Sequence, residues 1–68
     1  MEHTIETVKA ELPKVQIRTM SGKIVEGNVC GRQNKFATVW TKDNHDGWSF
    51  TWQTIVNALN DDRPIRVL

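Results

Sequence analysis

A shortage of cysteine removes the covalent and metal supports on which many small folds depend. Cys30 is the only cysteine among the 68 residues, so an intrachain disulfide is excluded. Since the chain has only two histidines besides, it lacks the four Cys and His ligands of a structural zinc site. A chain of this length buries only about 60% of the surface that its unfolded form exposes. Its stability therefore depends on a compact small barrel, on self-association, or on both.

Long apolar runs are also missing. No apolar stretch approaches the roughly 20 residues that span a bilayer. The N-terminal residues 1–4 are acidic and polar, where a secretory signal is basic and then apolar. Hydrophobic residues make up 38% of the chain and charged residues 25%, which is typical of a globular protein and predicts a single domain over residues 1–68. We expect a cytoplasmic protein without membrane contact, and the lone thiol agrees with a reducing compartment.

Positive charge is concentrated in the middle of the chain. Between Lys14 and Lys42, six basic residues stand against a single acid, Glu26, whereas both flanking segments are net negative. Such an asymmetry is typical of a polyanion-binding face. Exposed strands of any protein also carry Lys and Arg, so a solvated sheet surface is the alternative interpretation.

The apolar spacing changes after Pro13 from helical to alternating. Residues 4–12 are predicted to form a short amphipathic helix with Thr4 as its N-cap. Strands are expected over residues 15–20, 23–30, 36–41, 48–52 and 64–68, with turns at 21–22 and 42–47. Gly27 marks a bend or bulge. One or two helical turns precede the last strand, because Trp52, Ile55, Val56 and Leu59 share a helical face.

This element order predicts a mostly β fold: a strongly bent, five-stranded small barrel over residues 14–68, preceded by the helix. The stretch 14–31 also carries the spacing of a known motif, in which a strand leads to a turn and a second glycine follows in the next strand. The matching residues are Val15, Ile17, Ser21, Gly22, Gly27 and Val29. This pattern resembles the first motif of the Sm-like proteins, including the bacterial Hfq type.

The resemblance implies an SH3-like or Sm-like barrel that assembles into a ring and binds RNA. The family also begins with a helix, and its fourth strand leads into a tight turn with an apolar anchor, to which residues 50–55 are similar. Asn34 falls in the loop where the family contacts bases. The Lys-His pair of the Hfq type falls on Trp52 and Gln53 in this chain.

The basic loop, residues 31–35, combines cations with amides. Its candidate nucleic-acid-binding residues are Arg32, Gln33, Asn34 and Lys35. Cations neutralise phosphates and amide side chains read base edges, so this combination suits nucleic acid, with Arg18 and Lys23 as supporting charge. Phe36 and Trp40 would offer a stacking face. For Phe36, however, we expect a place in the core behind the loop.

Tryptophan is abundant for so short a chain. Trp48, Phe50 and Trp52 recur at strand spacing, which usually indicates core residues. Together with Trp40 they exceed what a small interior comfortably encloses. At least one of the three tryptophans is therefore expected at a subunit interface or a stacking surface, without the pattern indicating which.

Residues that could ligate a metal or catalyse a reaction do not form a recognisable motif. The candidate ligands are His3, Cys30, Asp43, His45 and Asp46. Their spacing is not that of a calcium loop, and turn chemistry accounts for the Asp, Asn and Gly residues around His45. Cys30 lies in a predicted strand without an oxyanion site or a phosphate cradle. We expect no metal, no cofactor and no enzymatic activity.

These features together predict a small, non-enzymatic nucleic-acid-binding protein that forms a homo-oligomer, with RNA favoured over DNA as the partner. An alternative is an SH3-like protein-interaction module or accessory subunit that docks peptides on exposed tryptophans. A duplex DNA-binding regulator is a third hypothesis.

Overall fold

The computed structural model describes residues 2–67, which form two helices and five strands. The helices are α1, Ile5–Glu11, and α2, Trp52–Asp61. The strands are β1, Val15–Arg18; β2, Ile24–Cys30; β3, Ala37–Thr41; β4, Asn44–Phe50; and β5, Ile65–Arg66. The predicted fold class is confirmed, because the chain is mostly β and its five strands form a curled half-barrel with a short helix at the N-terminus and another before β5. Position 68 of the predicted last strand lies outside the described residues.

The curl of the sheet depends on β2, which takes part in two pairings. Its first half, residues 24–27, pairs antiparallel with β1, and its second half, residues 28–30, pairs antiparallel with β3. Gly27, the predicted bend, lies where the pairing passes from one neighbour to the other. A Cβ atom at Gly27 would lie 2.5 Å from Cγ1 of Val39, so only glycine lets the Val39 side chain pack this closely against the backbone of β2.

The last strand joins the sheet in an orientation that the sequence pattern does not reveal. The strand order is β4-β3-β2-β1-β5, and β5 runs parallel to β1 with Ile17 opposite Ile65 and Arg18 opposite Arg66. Because β5 pairs with β1 and not with β4, the connection from β4 to β5 has to pass from one edge of the sheet to the other instead of forming a hairpin. Helix α2 supplies it, carrying the chain from the β4 edge of the sheet to the β1 edge.

Helix α1 begins and ends where the sequence predicts. The Thr4 side chain accepts a hydrogen bond from the Thr7 amide while Thr7 bonds back to the Thr4 amide, which forms a capping box. Leu12 adopts the left-handed conformation, with φ of 47°, and its amide donates to the Val8 carbonyl. Pro13 then prevents continuation of the helix.

Helix α2 is longer than the one or two turns predicted, and it includes Trp52, which the sequence pattern assigns both to the fourth strand and to the helical face. Thr51 caps it by accepting from the Thr54 amide, so Trp52 is the first helical residue rather than the last residue of the fourth strand. Trp52, Ile55 and Val56 all face the core, as the helical spacing predicts. Neither helix in the described part of the chain is long and apolar enough to cross a membrane.

The turn between β3 and β4 is shorter than the predicted cluster 42–47. Only Lys42 and Asp43 form the turn, and β4 already begins at Asn44. The Asn44 amide donates to Oγ1 of the buried Thr41 at 3.1 Å, and the Asn44 side chain accepts from the Gly47 amide at 3.1 Å. A register shift between Val39 and Thr41 accompanies these bonds. Residues 44–47, whose types are typical of turns, therefore form the irregular first part of β4.

One core lies between the concave face of the sheet and the two helices. The buried hydrophobic residues are Val8, Val15, Ile17, Val29, Ala37, Val39, Trp52, Ile55, Val56, Ala58 and Ile65. Because side chains alternate along each strand, the other surface of the sheet carries the intervening residues. We call this surface the outer face; in β1, β2 and β3 it consists of Gln16, Arg18, Ile24, Glu26, Asn28, Cys30, Thr38 and Trp40.

Candidate nucleic-acid interface

The outer face presents an aromatic side chain near its middle. Trp40 is 37% exposed and lies opposite Asn28 of β2. The His45 ring contacts the Trp40 ring edge-on, at 6.2 Å between centroids and 72° between planes. Phe36, which immediately precedes β3, is 49% exposed, so the expectation that it belongs to the core is wrong. Trp40 and Phe36 are the two aromatic residues with large exposed surfaces among residues 2–67.

The other two tryptophans belong to the interior. Trp48 pairs with Val39 on the concave side of the sheet and is half-buried against the core. Trp52 is only 5% exposed. Its indole Nε1 donates to the Asn34 carbonyl at 3.1 Å, and the Lys9 ammonium lies 5.3 Å from its ring centroid. The burial of Trp52 corrects the expectation that it is a candidate for stacking, because its ring lies under the basic loop.

The basic loop is held against both helices. Gly31 enters it with φ of 85°, and its carbonyl accepts from the Asn34 amide at 2.8 Å. The bond from Trp52 to the Asn34 carbonyl fixes the far side of the loop to α2. Gln33 and Lys35 are exposed, and Lys35 has no carboxylate within ion-pair distance among residues 2–67. The loop therefore presents Lys35 next to a residue, Asn34, whose backbone is hydrogen-bonded within the loop and to α2.

Arg32 has a structural partner that the sequence does not indicate. Its Nε donates to the Lys9 carbonyl at 2.6 Å, and its Nη2 donates to the Ala10 carbonyl at 3.2 Å. Both carbonyls belong to the last turn of α1, where backbone acceptors lack helical partners and a cation is favoured. Arg32 thus fastens the basic loop to α1. Its remaining guanidinium donors are the ones that a phosphate would have to use.

The predicted basic residues form two groups rather than one. Arg18 ends β1 and Lys23 lies in the turn before β2, whereas the basic loop follows the other end of β2. Six strand steps along β2 separate the groups by roughly 20 Å. Arg66, which was not predicted for this site, belongs to the first group, because the parallel pairing of β5 places it directly beside Arg18. A charge count by segment could not find it, because Arg66 belongs to a segment that is net negative.

The acidic residue of the outer face is neutralised. Glu26 forms an ion pair with Lys14 at 3.3 Å, and the other ion pair among residues 2–67 joins Arg63 to Asp61 at 3.3 Å. Both pairs are exposed, so they contribute little to stability. The Lys14–Glu26 pair matters for the site because Glu26 belongs to β2. With Glu26 paired, Trp40 lies between the two cationic groups and no unpaired carboxylate of β2 is beside it.

The candidate metal ligands are dispersed. Within residues 2–67 no three His, Cys, Asp or Glu side chains come together in a way that could hold a metal ion. The backbone of His3 exchanges two hydrogen bonds with the Asn60 side chain, at 2.6 and 3.0 Å, which ties the N-terminal segment to α2. Cys30 is half-buried opposite Thr38, and His45 is exposed beside Trp40.

Comparison with known proteins adds no relative: no family model, no curated protein and no solved structure matches this chain.

Proposed function

We propose that this chain is a small, non-enzymatic nucleic-acid-binding protein of the Sm-like type, acting as a homo-oligomer, with RNA favoured over DNA. The observation that carries the proposal is the composition of the outer face. An exposed tryptophan lies between two groups of cations, on a surface of the sheet that neither helix covers. Single-strand-binding proteins combine the same two elements, an aromatic stacking platform and a positively charged track for the phosphates.

The spacing of these elements supports a strand that runs along β2. Cations at Arg18 and Arg66 lie at one end, and Lys35 lies beyond the other end. Roughly 20 Å of sheet separates the ends, which accommodates several nucleotides. Asn28 lies opposite Trp40 and has an amide that can pair with a base edge. A base that stacks on Trp40 would therefore lie next to the Asn28 amide, which can form a hydrogen bond with it.

The position of the helices supports a single strand over a duplex. Reading the major groove of DNA requires a helix or a two-stranded ribbon that protrudes into it. In this chain the apolar faces of α1 and α2 both pack on the concave side of the sheet. An open sheet surface instead suits unstacked bases, as in sheet-based RNA readers. The preference for RNA over DNA comes from the resemblance of residues 14–31 to the Sm-like motif.

Removing the aromatic platform or the loop cation is expected to weaken binding in different ways. Trp40→Ala should lower the affinity for a single-stranded oligonucleotide by about fivefold to a hundredfold, because loss of base stacking costs about 1–3 kcal/mol. Lys35→Ala should weaken binding less and reduce the slope of log affinity against log salt by about one. Fluorescence anisotropy with labelled RNA and DNA of one sequence, at several salt concentrations, measures both effects.

Matched variants separate these effects from general damage. Trp40→Phe keeps a stacking ring and should retain most of the affinity. Arg63→Ala removes an exposed arginine that is already paired with Asp61, so binding should not change. Arg32→Ala is a less specific variant, since it also releases α1 from the basic loop. Unchanged affinity and salt dependence in both Trp40→Ala and Lys35→Ala would refute the proposed interface.

Self-association is the second part of the proposal, and the sheet edges support it. β4 pairs only with β3 and β5 only with β1 among the described strands, so each has one edge available to another copy. Such edges are usually paired, covered or charged in native proteins. Size-exclusion chromatography with light scattering, recorded at 260 and 280 nm on untagged protein, should show a discrete multimer larger than a dimer. A monomer free of nucleic acid would contradict self-association and favour the protein-interaction alternative.

A further inference from the structure

Two arginines lie side by side on the outer face although they are far apart in sequence. Arg18 ends β1, Arg66 ends β5, and the two are direct partners in the parallel register. The Val67 amide continues this pairing by donating to the Arg18 carbonyl at 3.1 Å. Both side chains are exposed and project from the same surface, because partners in a ladder share a face. We call these residues the Arg18–Arg66 pair.

The charge of this pair is not balanced by an ion pair within the described part of the chain. The carboxylates of Glu26 and Asp61 are the ones in ion pairs, and their partners are Lys14 and Arg63. Like charges directly opposite each other destabilise a sheet. Here the repulsion acts on β5, which is only two residues long and forms the edge of the sheet. An anion bound between the guanidiniums would remove the repulsion and strengthen the docking of β5.

The surroundings leave room for a ligand of nucleotide size. The pair borders an open depression of about 530 Å³ between the β1–β2 turn and the end of β5. Met20 in this turn is 83% exposed and Ile24 is 48% exposed, so apolar surface adjoins the cations. The Thr19 hydroxyl is already bonded to Ser21 and to the Lys23 carbonyl. Among the residues that line the depression, the two arginines carry the charged side chains, so charge recognition falls to their guanidiniums.

We propose that the Arg18–Arg66 pair is a binding site for a phosphomonoester. Each guanidinium offers a planar fork that matches two phosphate oxygens, and two adjacent forks supply two positive charges. A phosphomonoester carries nearly two negative charges at neutral pH and three terminal oxygens. An internal phosphodiester carries one negative charge and only two free oxygens, so it would leave part of the site unsatisfied. The exposed Met20 and Ile24 can cover the sugar or base that follows.

This inference rests on the proposed function for its biological ligand, which is the terminal phosphate of a bound strand. The same chemistry is offered by inorganic phosphate and by a free mononucleotide. The site is on the outer face at the opposite end of β2 from Lys35. A strand anchored there by its terminal phosphate would extend toward Trp40.

The test follows the arginine side chains directly. Nitrogen-15 NMR spectra of the whole chain are recorded while inorganic phosphate is added at about pH 7.5, where the dianion predominates, with chloride at equal ionic strength as the reference. The Nε–Hε signals of Arg18 and Arg66 should shift together and saturate, while that of Arg63 does not. Arg66→Gln should weaken phosphate binding about tenfold, since a charge-assisted bond contributes about 1.5 kcal/mol or more. Arg18→Gln, in the interior strand β1, gives an independent variant should Arg66→Gln release β5.

The second measurement identifies the source of the phosphate. Oligonucleotides of one sequence with a 5′-phosphate, a 3′-phosphate or no terminal phosphate are compared with a mononucleotide. Tighter binding of one phosphorylated strand, lost in Arg66→Gln but kept in Arg63→Gln, supports the strand end. Saturable phosphate binding without that difference supports the site and overturns its link to a strand end. Equal, unsaturated shifts at all arginines overturn the site, and they do so whether or not Trp40 and Lys35 contribute to oligonucleotide binding.

Discussion

Replacing Trp52 with alanine is expected to lower the free energy of unfolding by about 3–5 kcal/mol, the usual cost of truncating a buried aromatic residue. Trp52 is 5% exposed and packs in the single core between the sheet and the helices. Its indole also donates to the Asn34 carbonyl, so the substitution releases the basic loop from α2. A domain of this size has a total stability of roughly 3–10 kcal/mol. The Trp52→Ala protein should therefore retain little free energy of unfolding, and urea unfolding followed by circular dichroism should show its transition at a low urea concentration.

Two other substitutions separate the stability that comes from burying the Trp52 ring from the stability that comes from its hydrogen bond to Asn34. Trp52→Phe keeps an aromatic ring in the core but removes the donor, and should cost about 1–2 kcal/mol. Trp40→Ala deletes the same side chain at an exposed position and should cost about 1 kcal/mol or less. If Trp52→Ala lowered the free energy of unfolding no more than Trp40→Ala does, the conclusion that Trp52 is buried in the core would be wrong.

The second large effect is expected at Gly27, where even a methyl group has no room. In Gly27→Ala, the new Cβ would lie 2.5 Å from Val39 Cγ1 and 3.2 Å from Ile17 Cγ1. Both neighbours are completely buried, and the branched Val39 has few rotamers into which it can retreat. Overpacking of this kind costs about 1–3 kcal/mol, and the entropic gain of replacing glycine offsets only about 0.5–1 kcal/mol. The difference is a net loss of about 1–2 kcal/mol, which urea unfolding measures.

A double-mutant cycle isolates the collision at Gly27. Adding Val39→Ala removes the atom that the new Cβ would meet, so the two substitutions together should cost clearly less than the sum of their separate costs. Gly22→Ala is the comparison at an open position, since nothing lies within 4 Å of a Cβ there and only its φ of 87° opposes the change. Strict additivity in the cycle would show that Gly27 is not at a close approach of the strands.

The local elements of this protein could be predicted from its sequence. Thr4 and Pro13 mark the ends of α1, and the alternation of Val15 and Ile17 with polar neighbours predicts β1. Such signals are local, because a cap or a strand period depends on residues only a few positions apart. Where local signals overlap, the prediction of the element is wrong at the boundary. Trp52 is two residues from Phe50 and three from Ile55, so it fits a strand and a helix equally until the Thr51 cap decides.

Tertiary structure alone decided the composition of the candidate interface. The parallel pairing of β5 with β1 brings Arg66 beside Arg18, and no periodic pattern records a partner almost 50 residues away. Likewise, the contact of Arg32 with α1 assigns a structural role to a residue whose charge alone suggested phosphate binding. The burial of Trp52 and the exposure of Phe36 and Trp40 depend on which sheet face the helices cover. Sequence determined which residues carry charge and aromatic surface, whereas packing between distant segments determined which of them meet on the outer face.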